Sequence, residues 1–461
     1  MADKYDVIVI GSGPGGTSAA KTAAEKNLKV LMLERAKTPG DKQVSGSYLW
    51  RGISEEIFPG FEKAEMNQGQ IRLGGFDYVN ILDNDEKRYG FRFQPGEEAM
   101  RGLMTVYRNE TDKWFAEQCV KAGVELKTAL ATDVIWDSQG TENERVVGVV
   151  TDNGEYRAPM IIDASGLHSR IARRSGLTKW GVGKICLGMK YIYRVDPEVL
   201  RKRMATYWGE DGCEVDWGCT QMMTGVSPDY FCAHATGMPG KDGIVSIAFY
   251  NGLKEMVENK VNIHQRAQWY IKEPTCQHLI EGGEFIYADF HGLAVGDLEG
   301  YPRKSYLPGL VLVGDAGGFA DPLINWGANV AMEMGRMAGN LAAEMKTKND
   351  YSEAMFAKYE DMWKNSFIGE GDTHEWCRFW REGEFMDLMW TIDDVVVGFA
   401  KGYLTNNSYP SLMLGAMPKL IQAAPAVVKA VGAVGQSLAD VAVNRIDPFL
   451  RMLGINMNNN R

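Results

Sequence analysis

Two aliphatic runs in this 461-residue chain each break into a glycine-rich turn followed by a helix-forming stretch, one at Tyr5 to Ala24 and one at Gly309 to Lys346. Between them, from about Lys184, the pattern changes to alternating apolar and polar residues, as in Leu187 to Tyr193 and Gly243 to Tyr250. Together these observations predict an α/β protein, α+β overall: a Rossmann-like domain, an inserted antiparallel sheet and a helical C-terminal region. The expected division is 1–180 for the first part of the nucleotide-binding domain, 181–295 for the inserted sheet, 296–345 for the return segment and 346–461 for the helical region.

The first element is the most informative. The strand Val7-Ile8-Val9-Ile10 runs straight into Gly11-Ser12-Gly13-Pro14-Gly15-Gly16, and Thr17-Ser18-Ala19-Ala20 begins a helix. Gly11 permits a tight turn, Gly13 lets backbone approach a pyrophosphate, and Gly16 lets helix and strand sit close. Phosphates would rest on the helix N-terminus, where free N–H groups and the dipole favour negative charge. A second strand, Lys29 to Leu33, ends in Glu34, at the spacing of a carboxylate that takes a ribose hydroxyl pair. An acid there selects an adenosine ribose with a free 2′-hydroxyl, as in FAD or NAD.

The middle of the chain continues the pattern. The stretch from Thr38 to Arg108 shows little periodicity, and an amphipathic helix from Asn109 to Ala122, closed by Gly123, carries Trp114, Phe115 and Cys119 on one face. Short strands follow near Val124–Leu126, Arg145–Val150 and Ala158–Ile162, the last ending in Asp163-Ala164-Ser165-Gly166. The late run Gly309 to Val313 is a buried strand returning to the first domain, and it delivers Gly314-Asp315-Ala316-Gly317-Gly318 ahead of a helix from about Gly327 to Lys346. A carboxylate there can accept hydrogen bonds from ribityl hydroxyls, and the helix at Gly327-Ala328-Asn329 can aim N–H groups at the flavin edge that becomes anionic on reduction. A nicotinamide enzyme needs no such second site, so the pair of fingerprints points to FAD.

Composition narrows the rest. The net charge of −10 argues against nucleic-acid binding. Seven cysteines without a CxxC or iron–sulfur spacing read as reduced thiols in a cytosolic protein, and no metal site is expected. Methionine and tryptophan are abundant, 24 and 12, and they concentrate between Trp376 and Trp390. That segment reads as a helical core, with an apolar substrate cavity as the sharper alternative. The tail from Ser411 to Gly454 is apolar but broken by Pro418 and Pro425, so it reads as a helical cap, with a membrane-surface helix as the alternative.

The motifs in order, GxGxxG with Glu34-Arg35, Val106-Tyr107-Arg108…Phe115, Asp163-Ala164-Ser165-Gly166-Leu167-His168-Ser169-Arg170 and Gly314-Asp315-Ala316-Gly317-Gly318-Phe319, resemble the geranylgeranyl reductase and electron-transfer-flavoprotein dehydrogenase (FixC-like) superfamily over roughly residues 4 to 345. The resemblance implies that Gly11, Gly13, Pro14, Gly15, Gly16, Glu34 and Arg35 hold the adenosine diphosphate part of FAD. It implies that Arg108 and Gly166 contact the cofactor and that backbone near Thr132 holds the adenine. Gly314 and Asp315 would bind the ribityl chain, and Pro322 with Gly327, Ala328 and Asn329 would line the isoalloxazine. Plainer readings exist: Arg108 as a surface cation, Asp315 as a helix cap.

The loop Pro39 to Tyr48, with Ser45 and Gly46 at the cofactor, lacks the cysteine that prenyl reductases often carry, and looks more like that of the electron-transfer-flavoprotein dehydrogenases. A cluster domain is absent, as in FixC-like proteins, which implies a separate ferredoxin-like subunit. The implied function is electron transfer between a partner flavoprotein and a quinone or ferredoxin, in the cytoplasm or on the inner face of the membrane. The alternative is a flavin-dependent reductase of prenyl double bonds acting on isoprenoid lipids or quinones, and a flavin oxidase or hydroxylase of aromatic metabolites is a third. No convincing acid–base pair marks a catalytic residue, and His168, His234 and His291 read as structural.

Overall fold

The computed structural model describes residues 5–41, 47–67, 72–82, 87–93, 103–178, 185–207, 217–224, 231–238, 240, 242–272, 274–294, 304–320 and 327–370. The segment 376–390, the tail 411–454, Ser45, Gly46 and Pro322 lie outside the described residues.

A six-stranded sheet forms the first layer, in the order Tyr306–Leu307, Leu310–Leu312, Met160–Asp163, Val7–Ile10, Val30–Glu34, Glu125–Thr128. All its pairings are parallel except the edge pair of Tyr306–Leu307 with Leu310–Leu312. Parallel strands buried on both faces need unbroken aliphatic runs, and Val7–Ile10 and Leu310–Leu312 are buried at every position. The register Ile10↔Leu33, Ile10↔Asp163 and Asp163↔Leu312 brings four carboxyl ends to one edge. There the chain order reverses direction on either side of Val7–Ile10, which is where open parallel sheets bind ligands.

Two helices cover this sheet at close range. The helix Pro14–Glu25 packs along the helix Gly327–Lys348. A side chain at Gly335 would strike the carbonyl of Gly15, and one at Gly339 would stand 2.7 Å from the carbonyl of Ala19. Met332, Met334, Met337 and Met345 fill the space beneath. The predicted helix 109–122 is Arg108–Lys121, and Phe115 stacks on Phe58 with ring centroids 4.2 Å apart. A further helix, Glu353–Lys364, is tied down by Tyr359 Oη donating to the Leu312 carbonyl at 2.7 Å and Trp363 Nε1 donating to Ser305 Oγ at 2.8 Å.

The second layer is a largely antiparallel nine-stranded sheet. Its spine is Glu284–Ala294, Ile185–Arg194, Ile244–Gly252, Phe231–Met238 and Trp217–Thr224. It continues through Arg72–Leu82 to Leu103–Val106 and Ser47–Trp50, with Lys87–Phe93 paired to Arg72–Leu82. Residues 47–106, featureless in sequence, thus supply four of its strands. One face is packed by Met189, Tyr191, Ile247 and Phe249 against the helices Ile263–Ile271 and Pro274–Ile280. By strand alternation the other face carries Gly188, Lys190 and Ile192. A smaller antiparallel sheet, 131–137, 145–151 and 154–157, flanks the first. Among the described residues no helix is long and apolar enough to cross a membrane, and no cluster of three metal-ligating side chains occurs.

Candidate cofactor site

The glycine turn, Glu34, the Asp163 loop and Asp315 all begin at the carboxyl edge of the parallel sheet, while Arg108 follows a strand of the second sheet. Gly11 leaves Val7–Ile10 with φ +94°, and a Cβ there would lie 2.5 Å from the Ala164 carbonyl. At Gly16 a Cβ would strike the carbonyl of Gly11. Pro14 occupies the first turn, and the Gly13 cap brings no side chain to the helix N-terminus. The N–H groups of that turn are left to an anionic ligand.

Glu34 is held firmly. Its Oε2 accepts from Ser12 N at 3.0 Å and Ser12 Oγ at 2.6 Å, and its Oε1 accepts from Ala36 N at 2.7 Å. Three bonds fix the carboxylate beside the glycine turn with lone-pair capacity left for a ribose. Ala129 N donates to the Glu34 carbonyl at 2.8 Å, so the chain leading to Thr132 runs alongside. Thr132 itself directs its hydroxyl to the Val150 carbonyl at 3.3 Å, leaving only backbone for an adenine. Arg35 is exposed.

The other end is built around Arg108 and Asp315. Arg108 opens its helix and grips the fully buried Asp112 through Nε–Oδ1 and Nη2–Oδ2, both 2.7 Å. Burial works against the guanidinium charge, but Asp112 and Asp315 outweigh it and raise the Arg108 pKa. The plain alternative of a surface cation is therefore set aside. Asp315 sits in the Gly314–Ala316 turn, with Oδ1 3.1 Å from where a Gly327 Cβ would stand, at the start of the long helix. Burial pushes its carboxyl up to about 6, against the pull of Arg108. Among the described residues no hydrogen bond reaches this carboxylate, although Asp315 is only half-buried. A half-buried acceptor left without a donor fits a polyol chain. Of the remaining positions, Asn329 is fully buried and its Oδ1 accepts Trp50 N at 2.8 Å, which ties the long helix to the second sheet. Ala328 is half-buried.

The loop after Met160–Asp163 is ordered by Asp163, which is fully buried and accepts from Ser165 N at 3.1 Å, Ser165 Oγ at 2.6 Å and Ser169 Oγ at 2.5 Å. Burial raises its pKa despite these bonds. The loop turns at Gly166 with φ +77° and presents His168, whose ring lies edge-on to His291 with centroids 6.1 Å apart. Burial lowers the His291 pKa to about 4, with further push from His168, Arg108, Lys190 and Arg35. His168 is lowered for the same first reason, then by Arg35 and Arg173. Histidines held neutral beside several cations are part of the cradle's electrostatics, which single-residue reading misses. Lys190 was missed as well. The signal for it was a lone lysine at an inward position of the apolar strand Ile185–Arg194.

Comparison with known proteins agrees with this geometry. Residues 6–182 match the family described as FAD dependent oxidoreductase. The chain is 28% identical over 377 residues to Protein FixC of Rhizobium meliloti (strain 1021), covering 80% of this chain and 82% of that protein. It is 25% identical over 361 residues to the probable electron transfer flavoprotein-quinone oxidoreductase YdiS of Escherichia coli (strain K12), covering 78% and 81%. Among solved structures, the geranylgeranyl bacteriochlorophyll reductase-like protein Ta0516 of Thermoplasma acidophilum superposes with a TM-score of 0.67 at 23% identity, over 93% of this chain and 99% of that one. The last likeness speaks to the fold. The resemblance carried by the motifs is thus met again in whole-chain comparison, with FixC proteins prominent among the relatives. The protein is an FAD-dependent oxidoreductase.

Proposed function

We propose that this FAD-dependent oxidoreductase is an electron-transferring flavoprotein dehydrogenase of FixC type, passing electrons between a partner flavoprotein and a quinone. The observation that carries the reading is the extent of the likeness to FixC and to YdiS. It spans about four-fifths of each chain, and so takes in the sheet over the cofactor as well as the nucleotide fold.

Bound FAD supplies the electron chemistry, and the chain's residues set where it sits and at what potential. Gly11 to Gly16 and Glu34 hold the adenosine diphosphate end, while Asp315 takes the ribityl hydroxyls. Arg108, locked by Asp112, keeps a fixed positive charge beside Asp315. The N-terminal turn of Gly327–Lys348 favours negative charge near Gly327 and Ala328. In this role no side chain has to exchange a proton with an organic substrate. Ser45, Gly46 and Pro322 complete the cradle in this reading, a ferredoxin-like subunit is the further electron partner, and quinone is reached at the inner face of the membrane.

The test is anaerobic reoxidation. Protein reduced with dithionite is mixed with a short-chain quinone or with a geranylgeranyl lipid, and flavin absorbance is followed. Fast reoxidation by quinone, and reduction of the oxidised protein by a reduced electron-transfer flavoprotein, are expected. Reoxidation by the lipid with a saturated product overturns the proposal in favour of a prenyl reductase.

A further inference from the structure

The second sheet turns a polar row toward the cofactor edge. Lys190 lies at the centre of Ile185–Arg194, buried to 6% exposure, on the face away from the packed core of its own domain. Across the sheet it is opposite Ala248 on one side and Asp289 on the other, and His234 occupies the next register position beyond Ala248. Two residues along, Gly188 is flanked by Tyr250 and His291, and in the other direction Ile192 is flanked by Ser246 and Tyr287. The strand Glu284–Ala294 that carries Asp289 and His291 rests on the Gly314–Ala316 turn. At Gly292 it is so close to the Asp163–Ser169 loop that a Cβ would strike Leu167. From the first domain Arg108, with Asp112 and Asp315 behind it, reaches Lys190 electrostatically, while His168 and Arg35 act on the same row through His291.

We infer that Lys190 is a cofactor-binding cation contributed by the second sheet, and that loading FAD draws a proton onto its Nζ.

Burial followed by the field of Arg108 pulls the Lys190 pKa down to about 7, although Asp289 lies across the sheet and Asp112 pairs with Arg108. FAD brings the two negative charges of its diphosphate to the carboxyl edge of the parallel sheet, on which the strand beside Lys190 rests. At an effective dielectric near 20, one charge at about 10 Å moves a neighbour by about one pKa unit. The bound-state value therefore rises well above the free one. Between the two values Lys190 is neutral before binding and charged after it, the Nζ lone pair taking a proton from buffer with no electron transferred. The sign follows: affinity is highest below about 7 and falls as pH rises through the bound-state value. The same charges draw up Asp315, whose own value lies near 6, so the share of the lysine is the difference between the native protein and its Lys190 variants. The inference rests on FAD binding and not on the identity of the electron partners.

The measurement is calorimetric titration of the flavin-free full chain with FAD at pH 8, in HEPES and in Tris. The dependence of apparent enthalpy on buffer ionisation enthalpy gives the protons taken up. The native protein should take up at least about half a proton. Lys190→Met should take up less by about half a proton and bind about tenfold more weakly at pH 7, the gap closing toward pH 10. Lys190→Arg, charged throughout, should keep the affinity and lose the same share of the uptake. Circular dichroism checks that each variant folds. If Lys190→Met fails to fold, the arginine variant decides. No uptake by the native protein, or undiminished uptake in either variant, overturns the inference.

Discussion

Two carboxylates stand at the ends of the proposed cofactor cleft, and the chain prepares them in opposite ways. Glu34 ends a strand and already accepts three hydrogen bonds, two from Ser12 and one from Ala36, so its position is set by the chain itself. Asp315 has no such support among the described residues, and burial raises it to about 6. The ribose end is a piece of the fold that a ligand can use. The ribityl end is a site whose charge is costly until a ligand arrives. The same carboxylate group therefore adds stability in one place and subtracts it in the other.

Breaking the ribose end should have the largest effect. Gly16→Val drives a branched side chain into the Gly11 carbonyl, and a loss of about 4 kcal/mol or more is expected, read as failure to fold or a collapsed melting temperature. Glu34→Ala leaves the N–H groups of Ser12 and Ala36 without their acceptor. It should cost about 3 kcal/mol in chemical unfolding of the apoprotein and abolish tight FAD binding. Asp315→Asn should go the other way. FAD binding weakens by about 10- to 100-fold, yet the apoprotein gains about 2 kcal/mol at pH 7 after allowance for partial exposure. A loss of stability in that variant would erase the contrast between the two ends.

The pH dependence sharpens it further. The folded Asp315 binds its proton at about 6, above its ordinary 3.8, so the native apoprotein gains stability from this group as pH falls through 6. The advantage of Asp315→Asn should shrink over that window and vanish near pH 4, as paired urea titrations would show. The smallest effect belongs to Tyr107→Phe. Its hydroxyl meets Tyr287 Oη at 3.4 Å, too long to contribute much, and under about 0.5 kcal/mol is expected with FAD affinity unchanged.

The contrast also bears on what one chain of letters can reveal. Glu34 was legible because a strand, a glycine turn and a fixed spacing are local, and Asp315 because its turn follows an aliphatic run. Ser12 as the partner of Glu34 was not, since that bond joins residues 22 positions apart in sequence. Lys190, His291 and Asp289 were not legible as a group, because cross-strand register depends on the partner strand. The strands between 47 and 106 were hidden for a related reason. Arg72–Leu82 pairs with Trp217–Thr224, so its residues answer to a surface supplied from far along the chain. The segments on either side of the glycine turns needed no such partner to be recognised.

The strand Leu310–Leu312 closes the parallel sheet by pairing with Met160–Asp163, and the helix Gly327–Lys348 then seals it against Pro14–Glu25. On a ribosome these partners are separated by the synthesis of five strands of the second sheet, roughly 10 to 30 s at about 5–20 residues per second. Throughout that interval the Met160–Asp163 edge is an open template for stray β-pairing, and the nascent chain needs shielding there. Flavin can be captured stably only after the long helix has emerged. Cofactor insertion is thus expected late in maturation, and a chain truncated before that helix is expected to be colourless and prone to aggregate.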